Sequence, residues 1–265
     1  MQFTNKMSYF NCMIGFSKGF AYFVFMEFNK QLIHGHLIKR YKRFLADVLL
    51  DDGRIVTAHC TNSGSMKSCL EEGAEVFLTP VDDPKRKTRF TWEMIMIAGE
   101  WVGINTSHPN ALAFQWLQEG LIPGLENLCC LKREVTWDDS RFDIYGEEQS
   151  PGLSLSSGQS RGCFIEVKNV SLREENKALF PDAVTTRGRK HLNTLIRVKQ
   201  SGMRAVMLYV VQRMDVSLFS PAREIDPEYA NALDEAIRRG VEIYVVQARV
   251  NPEGIAFHRM LPYSG

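Results

Sequence analysis

The chain has 265 residues, 45% hydrophobic and 24% charged, the make-up of a globular protein with a buried core and room for one large domain or two ordinary ones. A formal net charge of +1 excludes a strongly basic nucleic-acid binder, so any anion-binding surface must come from local clustering. The six cysteines (Cys12, Cys60, Cys69, Cys129, Cys130, Cys163) include no Cys-x-x-Cys pair and are too sparse for a disulfide scaffold, which points to a reducing, cytoplasmic setting.

Residues 1–25 differ from the rest. Phe16 to Phe28 is dense in aromatics, and the apolar run Phe20 to Met26 is far too short to span a bilayer. No small-residue cleavage site follows it, so a signal peptide is not expected, nor is membrane association. The expectation is a disordered leader, or a start set too far upstream with Met26 as the natural first residue.

Residues 26–106 read as β-rich. Leu32 to Val48 carries alternating segments, and Asp51-Asp52-Gly53 is a hairpin turn before the strand Arg54 to Cys60. Thr61-Asn62-Ser63-Gly64-Ser65 is a polar loop, Glu71-Glu72-Gly73 a second turn, and Thr88 to Ile97 pairs with Trp101 to Asn105 across Ala98-Gly99-Glu100. About five short strands joined by turns predict a small barrel of the oligonucleotide/oligosaccharide-binding (OB) type. Two basic clusters fall in it: Lys39, Arg40, Lys42 and Arg43 around Tyr41 and Phe44, and Lys85, Arg86 and Lys87 leading to Phe90 and Trp92. Basic residues interleaved with aromatics suit a surface that follows a phosphate backbone and stacks bases. Lysines guarding a solvated sheet edge would look the same.

At His108-Pro109-Asn110 the period changes and a helix runs to Gly120, which sets the second domain at residues 107–265. Strands follow from Leu128 to Thr136, around Arg141 and around Glu166, then a helix from about Thr186 to Gln200. Ala205 to Val211 is a strand apolar on both faces. A helix from Ile225-Asp226-Pro227 to Gly240, a buried strand Val241 to Ala248 and a hairpin across Asn251-Pro252-Glu253-Gly254 complete the chain. The fold class is therefore mixed α+β: a small OB-like β-barrel, then an α/β domain whose mixed sheet is flanked by helices.

The chemistry centres on Phe164-Ile165-Glu166-Val167-Lys168. Strand alternation sends Ile165 and Val167 one way and Glu166 and Lys168 the other, about 7 Å apart. In Ser140-Arg141-Phe142-Asp143-Ile144, Phe142 and Ile144 alternate against Asp143, so neighbouring strands would gather Asp143, Glu166 and Lys168. Two carboxylates on adjacent strands suit Mg²⁺, a hard ion that takes oxygen ligands and keeps several waters. A lysine beside them can hold a phosphate or an attacking water. A Glu-x-Lys pair on any solvated sheet face is the plainer alternative.

Asp143 followed by Glu166-x-Lys168 on the next strand resembles the PD-(D/E)XK nuclease signature. From Met26 onward the chain more specifically resembles the sugar fermentation stimulation protein A family. The resemblance is carried by Arg40-Tyr41-Lys42-Arg43-Phe44-Leu45-Ala46-Asp47-Val48, Lys85-Arg86-Lys87, Ser140 to Asp143, Ile165 to Lys168, Phe180-Pro181-Asp182-Ala183-Val184-Thr185 and Arg187-Gly188-Arg189-Lys190-His191-Leu192. It implies an OB-like domain, a restriction-endonuclease-like domain, DNA binding without strong sequence preference (RNA left open), and a regulatory influence on sugar metabolism. A homodimer is compatible with it. By position, Asp143 and Glu166 are the implied ligands of Mg²⁺, with Mn²⁺ as substitute, Lys168 the catalytic lysine and Glu134 the first acid. Arg187 and His191, one helical turn apart, are expected to face this site with Lys190 on the same helix. The Ser/Gly-rich insertion between Asp143 and Glu166, holding Ser150-Pro151-Gly152 and Ser156-Ser157-Gly158, is expected to loop out without shifting register. A one-residue slip would turn Asp143 to the wrong face.

Overall fold

The computed structural model describes residues 25–148 and 161–265. The leader before residue 25 and the Ser/Gly-rich insertion lie outside the described residues. The first strand, β1 (Phe25–Glu27), does not open the barrel as the sequence boundary at residue 26 implies; it pairs antiparallel with the last strand of the chain, Met26 opposite Ile255. The physical reason is burial, because Met26 enters the core of the second domain rather than that of the first.

The barrel comprises β2 (Ile33–Tyr41), β3 (Leu45–Leu50), β4 (Ile55–His59), β5 (Glu75–Pro80) and β6 (Phe90–Ile97), with β7 (Glu100–Gly103) as an added hairpin strand. Sheet order β4-β3-β2-β5-β6 closes through a parallel β4–β6 pairing at Ala58–Phe90, which gives the five-stranded OB-like topology expected. Gly53, at φ 84°, makes the β3–β4 turn possible. Alternation sends Leu37, Ala46, Val48, Val76, Leu78 and Trp92 inward to form the barrel core.

The second domain begins with α1 (His108–Gln118), whose buried stripe Pro109, Leu112, Ala113, Trp116 and Leu117 recurs at helical spacing. Then come β8 (Leu128–Trp137), β9 (Ser140–Glu148), β10 (Gly162–Val170), β11 (Leu172–Glu174), β12 (Lys177–Phe180), α2 (Thr186–Gln200), β13 (Arg204–Val211), β14 (Leu218–Pro221), α3 (Pro227–Arg238), β15 (Glu242–Asn251) and β16 (Gly254–Met260). Seven strands make one mixed sheet in the order β1-β16-β15-β13-β10-β9-β8, with β10, β13 and β15 parallel at its centre. In β13 the side chains of Val206, Leu208 and Val210 face the α1 core, while Ala205, Met207, Tyr209 and Val211 face the core under α2 and α3. The helices start where their caps allow: Thr185 Oγ1 accepts from the Gly188 amide at 3.0 Å and Asp226 Oδ1 from the Tyr229 amide at 2.9 Å.

Three short strands were not expected from the sequence. β11, β12 and β14 form a small separate sheet, and Phe180 ends β12. Three- and four-residue strands carry too few alternations to register as a period. The two domains are joined by a buried polar seam. Arg213, 0% exposed, donates to Ser68 Oγ at 3.0 Å and the Ser171 carbonyl at 2.6 Å while pairing with Asp215 at 2.7 Å. The Gly103 amide donates to the Gln212 carbonyl at 2.8 Å across the same seam.

Candidate functional site

Register decides the site. β9 and β10 pair only over Gly162–Ile165, with Ile165 opposite Ile144. The Glu148 amide donates to the Arg161 carbonyl at 3.0 Å, so the ladder is in register on both sides of the insertion. Beyond Ile144 the strands part. There the Asp143 side chain takes over, its Oδ2 accepting from the Val167 amide at 2.8 Å. The expected alternation of Phe142 and Ile144 on one face is broken at this point: Phe142 lies in the α2/α3 core and Ile144 in the α1 core. At the break the Asp143 carboxylate accepts a β10 amide where a main-chain carbonyl would in a regular ladder, and on β8 Glu134, at positive φ, falls between the partners of Ile144 and Phe142.

Glu166 is 2% exposed, on the face of β10 that meets α2. Its Oε1 accepts from both Lys168 Nζ and His191 Nδ1, while its Oε2 is buried with no partner. Arg187 Nε donates to His191 Nε2 at 3.5 Å, which leaves the ring's proton on Nδ1, toward Glu166. Burial pushes the Glu166 carboxyl up, but the His191 hydrogen bond and the Lys168 charge outweigh it and hold the group below its ordinary value. Asp143 moves the other way: burial first, then the Glu166 charge, push it up to about 6. The other Asp143 oxygen, Oδ1, accepts from Asn110 Nδ2 on α1 at 2.5 Å.

Lys168 opens onto a cleft of about 560 Å³ between the domains. Arg43 and the Thr61–Gly64 loop line its barrel side; Lys168, Asn169, the Phe180–Thr185 segment and Arg187 line the other. Two stretches without a role in the sequence, the polar loop after β4 and Phe180 to Thr185, are thus opposite walls of one cleft. They touch: Asp182 Oδ2 accepts from the Met66 amide at 3.4 Å, and a Cβ added at Gly64 would collide with the Asp182 carboxylate.

The structure therefore gathers Asp143, Glu166, Lys168, His191, Arg187 and Arg43. It does not gather the rest. Glu134, expected as the first acid, sits at φ 59°, out of the pleat, and its carboxylate is exposed and paired with Arg141 at 2.8 Å. Lys190 lies on the outer side of α2, donating to the Asp139 carbonyl at 2.7 Å. Arg40 is structural: it binds the Asn62 and Gly64 carbonyls at 2.8 and 2.9 Å and shapes the cleft wall from behind. Lys39 stacks over Tyr41, Lys42 is exposed, and Lys85, Arg86 and Lys87 sit in the β5–β6 loop, outside the cleft lining. Arg86 there bonds Thr91 Oγ1 at 3.1 Å. Asn110 was missed, because a single asparagine in an amphipathic helix carries no signal of its own.

Among the described residues no three His, Cys, Asp or Glu side chains converge as a metal cage. Asp143 and Glu166 are nevertheless a donor set that fits Mg²⁺, which needs only one or two carboxylates beside waters and phosphate. The unpartnered Glu166 Oε2 is a buried acceptor of the kind a cation satisfies.

An OB-like barrel packed on a restriction-endonuclease-like sheet, with Asp143 and Glu166-x-Lys168 at the strand divergence, defines a two-domain protein of nuclease-like fold. Residues 38–104 match the SfsA N-terminal OB domain and residues 107–254 the sugar fermentation stimulation protein RE domain. The chain belongs to the sugar fermentation stimulation protein (SfsA) family. A sugar fermentation stimulation protein homolog from Geobacter sulfurreducens is 47% identical over 234 residues, 88% of this chain and 96% of that protein. A homolog from Rhodospirillum rubrum is 45% identical over 243 residues, 89% of this chain and 98% of that one. The solved structure of Pyrococcus furiosus SfsA in complex with Ca²⁺ is similar at a TM-score of 0.78 and 28% identity, covering 91% of this chain and 99% of that chain. No helix among the described residues is long and apolar enough to cross a membrane.

Proposed function

We propose that this is a cytoplasmic DNA-binding protein of little sequence preference, which seats a phosphate of the strand in the interdomain cleft beside a divalent-cation site at Asp143 and Glu166. The observation that carries this is the opening of the Lys168 end of the cluster onto a cleft with Arg43 on one wall and Arg187 on the other. Cationic side chains facing a backbone bind sequences alike. A regulatory effect on sugar metabolism, as the family description implies, would follow from such binding.

A second reading, metal-dependent phosphodiester hydrolysis, is favoured by the intact acid–acid–lysine set and by the Ca²⁺ complex of the Pyrococcus relative. Bound Mg²⁺ would neutralise phosphate charge and acidify a water. On this reading Lys168 would hold negative charge on the phosphate and His191 keep Glu166 oriented and charged, while Arg43 and Arg187 would fix the strand. We expect duplex or single-stranded DNA to bind with log K falling steeply with log salt, and Arg43→Ala with Arg187→Ala to weaken all sequences and flatten that slope by about one unit per lost phosphate contact. Salt-independent binding overturns the cleft reading, and tighter binding of RNA reassigns the ligand. Cleavage with Mg²⁺ or Mn²⁺ that is lost in Asp143→Ala and Lys168→Ala establishes the second reading; no cleavage of DNA or RNA leaves binding alone.

A further inference from the structure

Asp143 is held from two sides, by a backbone amide inside the Glu166-x-Lys168 motif and by a side chain outside every motif. Its Oδ2 accepts from the Val167 amide at 2.8 Å and its Oδ1 from Asn110 Nδ2 at 2.5 Å. A carboxylate oxygen accepts in about two directions, so each keeps free capacity after one hydrogen bond. The position of Asn110 is in turn set by the barrel. At the start of α1, His108 Nε2 lies 2.7 Å from Glu93 Oε2 on β6, a carboxylate that also accepts from Asn105 Nδ2 at 2.9 Å. Asn105 Oδ1 accepts from the Ser107 amide at 3.0 Å and its hydroxyl at 2.6 Å. Glu93 is buried and belongs to the barrel, so the first turn of α1 is fixed to one domain while its third residue reaches the acid of the other.

We propose that Asn110 is a positioning residue for the cation site: it fixes the plane of the Asp143 carboxylate, and through the Glu93–His108 contact it ties that plane to the barrel. This rests on the reading of Asp143 and Glu166 as cation ligands. The amide suits the task better than an acid or a base would. It donates without adding charge beside two carboxylates, so it neither repels the pair nor competes with the cation for it. Groups that hold metal-ligating side chains in place typically cost 10–100-fold in affinity when removed.

The test is Mn²⁺ titrated into the full chain and followed by loss of the free-ion electron paramagnetic resonance signal, beside melting temperatures in EDTA. Asn110→Ala should weaken Mn²⁺ binding by about 10-fold or more with its EDTA melting temperature within about 3 °C of wild type. Leu112→Ala, on the same helix but buried in the α1 core, should do the reverse, lowering the melting temperature and leaving Mn²⁺ affinity unchanged. Equal Mn²⁺ affinity in wild type and Asn110→Ala overturns the proposal while leaving the cation site standing, as does an affinity that merely follows melting temperature across both variants. If the alanine variant does not fold, Asn110→Ser is titrated in its place, with the same expectation. A wild type that does not bind Mn²⁺ overturns the cation site and the role of Asn110 together.

Discussion

At Glu166 and Asp143 two carboxyls share one environment and respond in opposite directions. Glu166 has two donors and stays charged; Asp143, with one backbone and one amide donor, takes the burial penalty and titrates at about 6. The signs follow. Asp143 has a folded value above its ordinary 3.8, so its contribution to stability is fully present below that value and lost as pH rises through about 6, amounting to roughly 3 kcal/mol at most. Glu166 works against it, contributing stability above its ordinary carboxyl value that is lost in acid. A cation that offsets the Asp143 charge should therefore raise the melting temperature strongly at pH 8 and hardly at pH 5. Calorimetry with and without Mg²⁺ at both values checks this, and Asp143→Asn should abolish the difference. Glu166 and Lys168 were legible in the sequence because their acid-x-lysine spacing lies on one strand and survives folding, whereas Asp143 was named by resemblance to the nuclease signature and by an alternation that breaks around it. Glu134 was not, because a positive φ in the middle of a strand leaves no mark in the residue pattern.

Among the elements, α2 carries most of the site's second wall, and its start depends on one side chain. Thr185 Oγ1 accepts from the Gly188 amide, placing Arg187 at the cleft and His191 against Glu166 one turn later. Thr185→Ala should cost about 1 kcal/mol of stability, read from urea denaturation, and should weaken DNA binding through Arg187. The range Thr186 to Gln200 was readable from its apolar stripe of Leu192, Leu195 and Val198 and from the cap before it. The β11–β12–β14 sheet was not, and neither was the attachment of Phe25–Glu27 to β16, a pairing across more than 200 residues of sequence that no local pattern could announce. The break in alternation at Asp143 belongs to the same class: it goes with contacts to both partner strands, the Val167 amide on β10 and the irregular Glu134 on β8.

For the molecule as a whole, the seam between barrel and sheet is what makes a cleft. Arg213 binds Ser68 on one side and Ser171 and Asp215 on the other, with no contact to solvent. Arg213→Ala removes the positive partner of a buried network and should cost about 3 kcal/mol or more, splitting chemical unfolding into separate barrel and sheet transitions. A single transition with unchanged midpoint would place the coupling elsewhere, at the β7–β15 contact or the Glu93–His108 pair.

The sequence alone determined the two-domain order, the barrel class, the helix positions and the Glu166-x-Lys168 spacing on one strand. Each of these depends on interactions a few residues long or on a period that repeats along one element. The tertiary structure decided which basic residues serve the cleft. Of the run from Lys39 to Arg43, Arg43 lines it and Arg40 is consumed in holding the loop behind it, while on α2 Arg187 lines it and Lys190 is turned away to Asp139. It also brought Asn110 to Asp143 and Asp182 to Gly64. Charge and polarity are written in the residue, but the direction a side chain faces is set by what packs against its backbone, and here those neighbours are distant in sequence: α1 for Asp143, the Asn62–Gly64 loop for Arg40, Asp139 for Lys190 and, across the domains, Gly64 for Asp182.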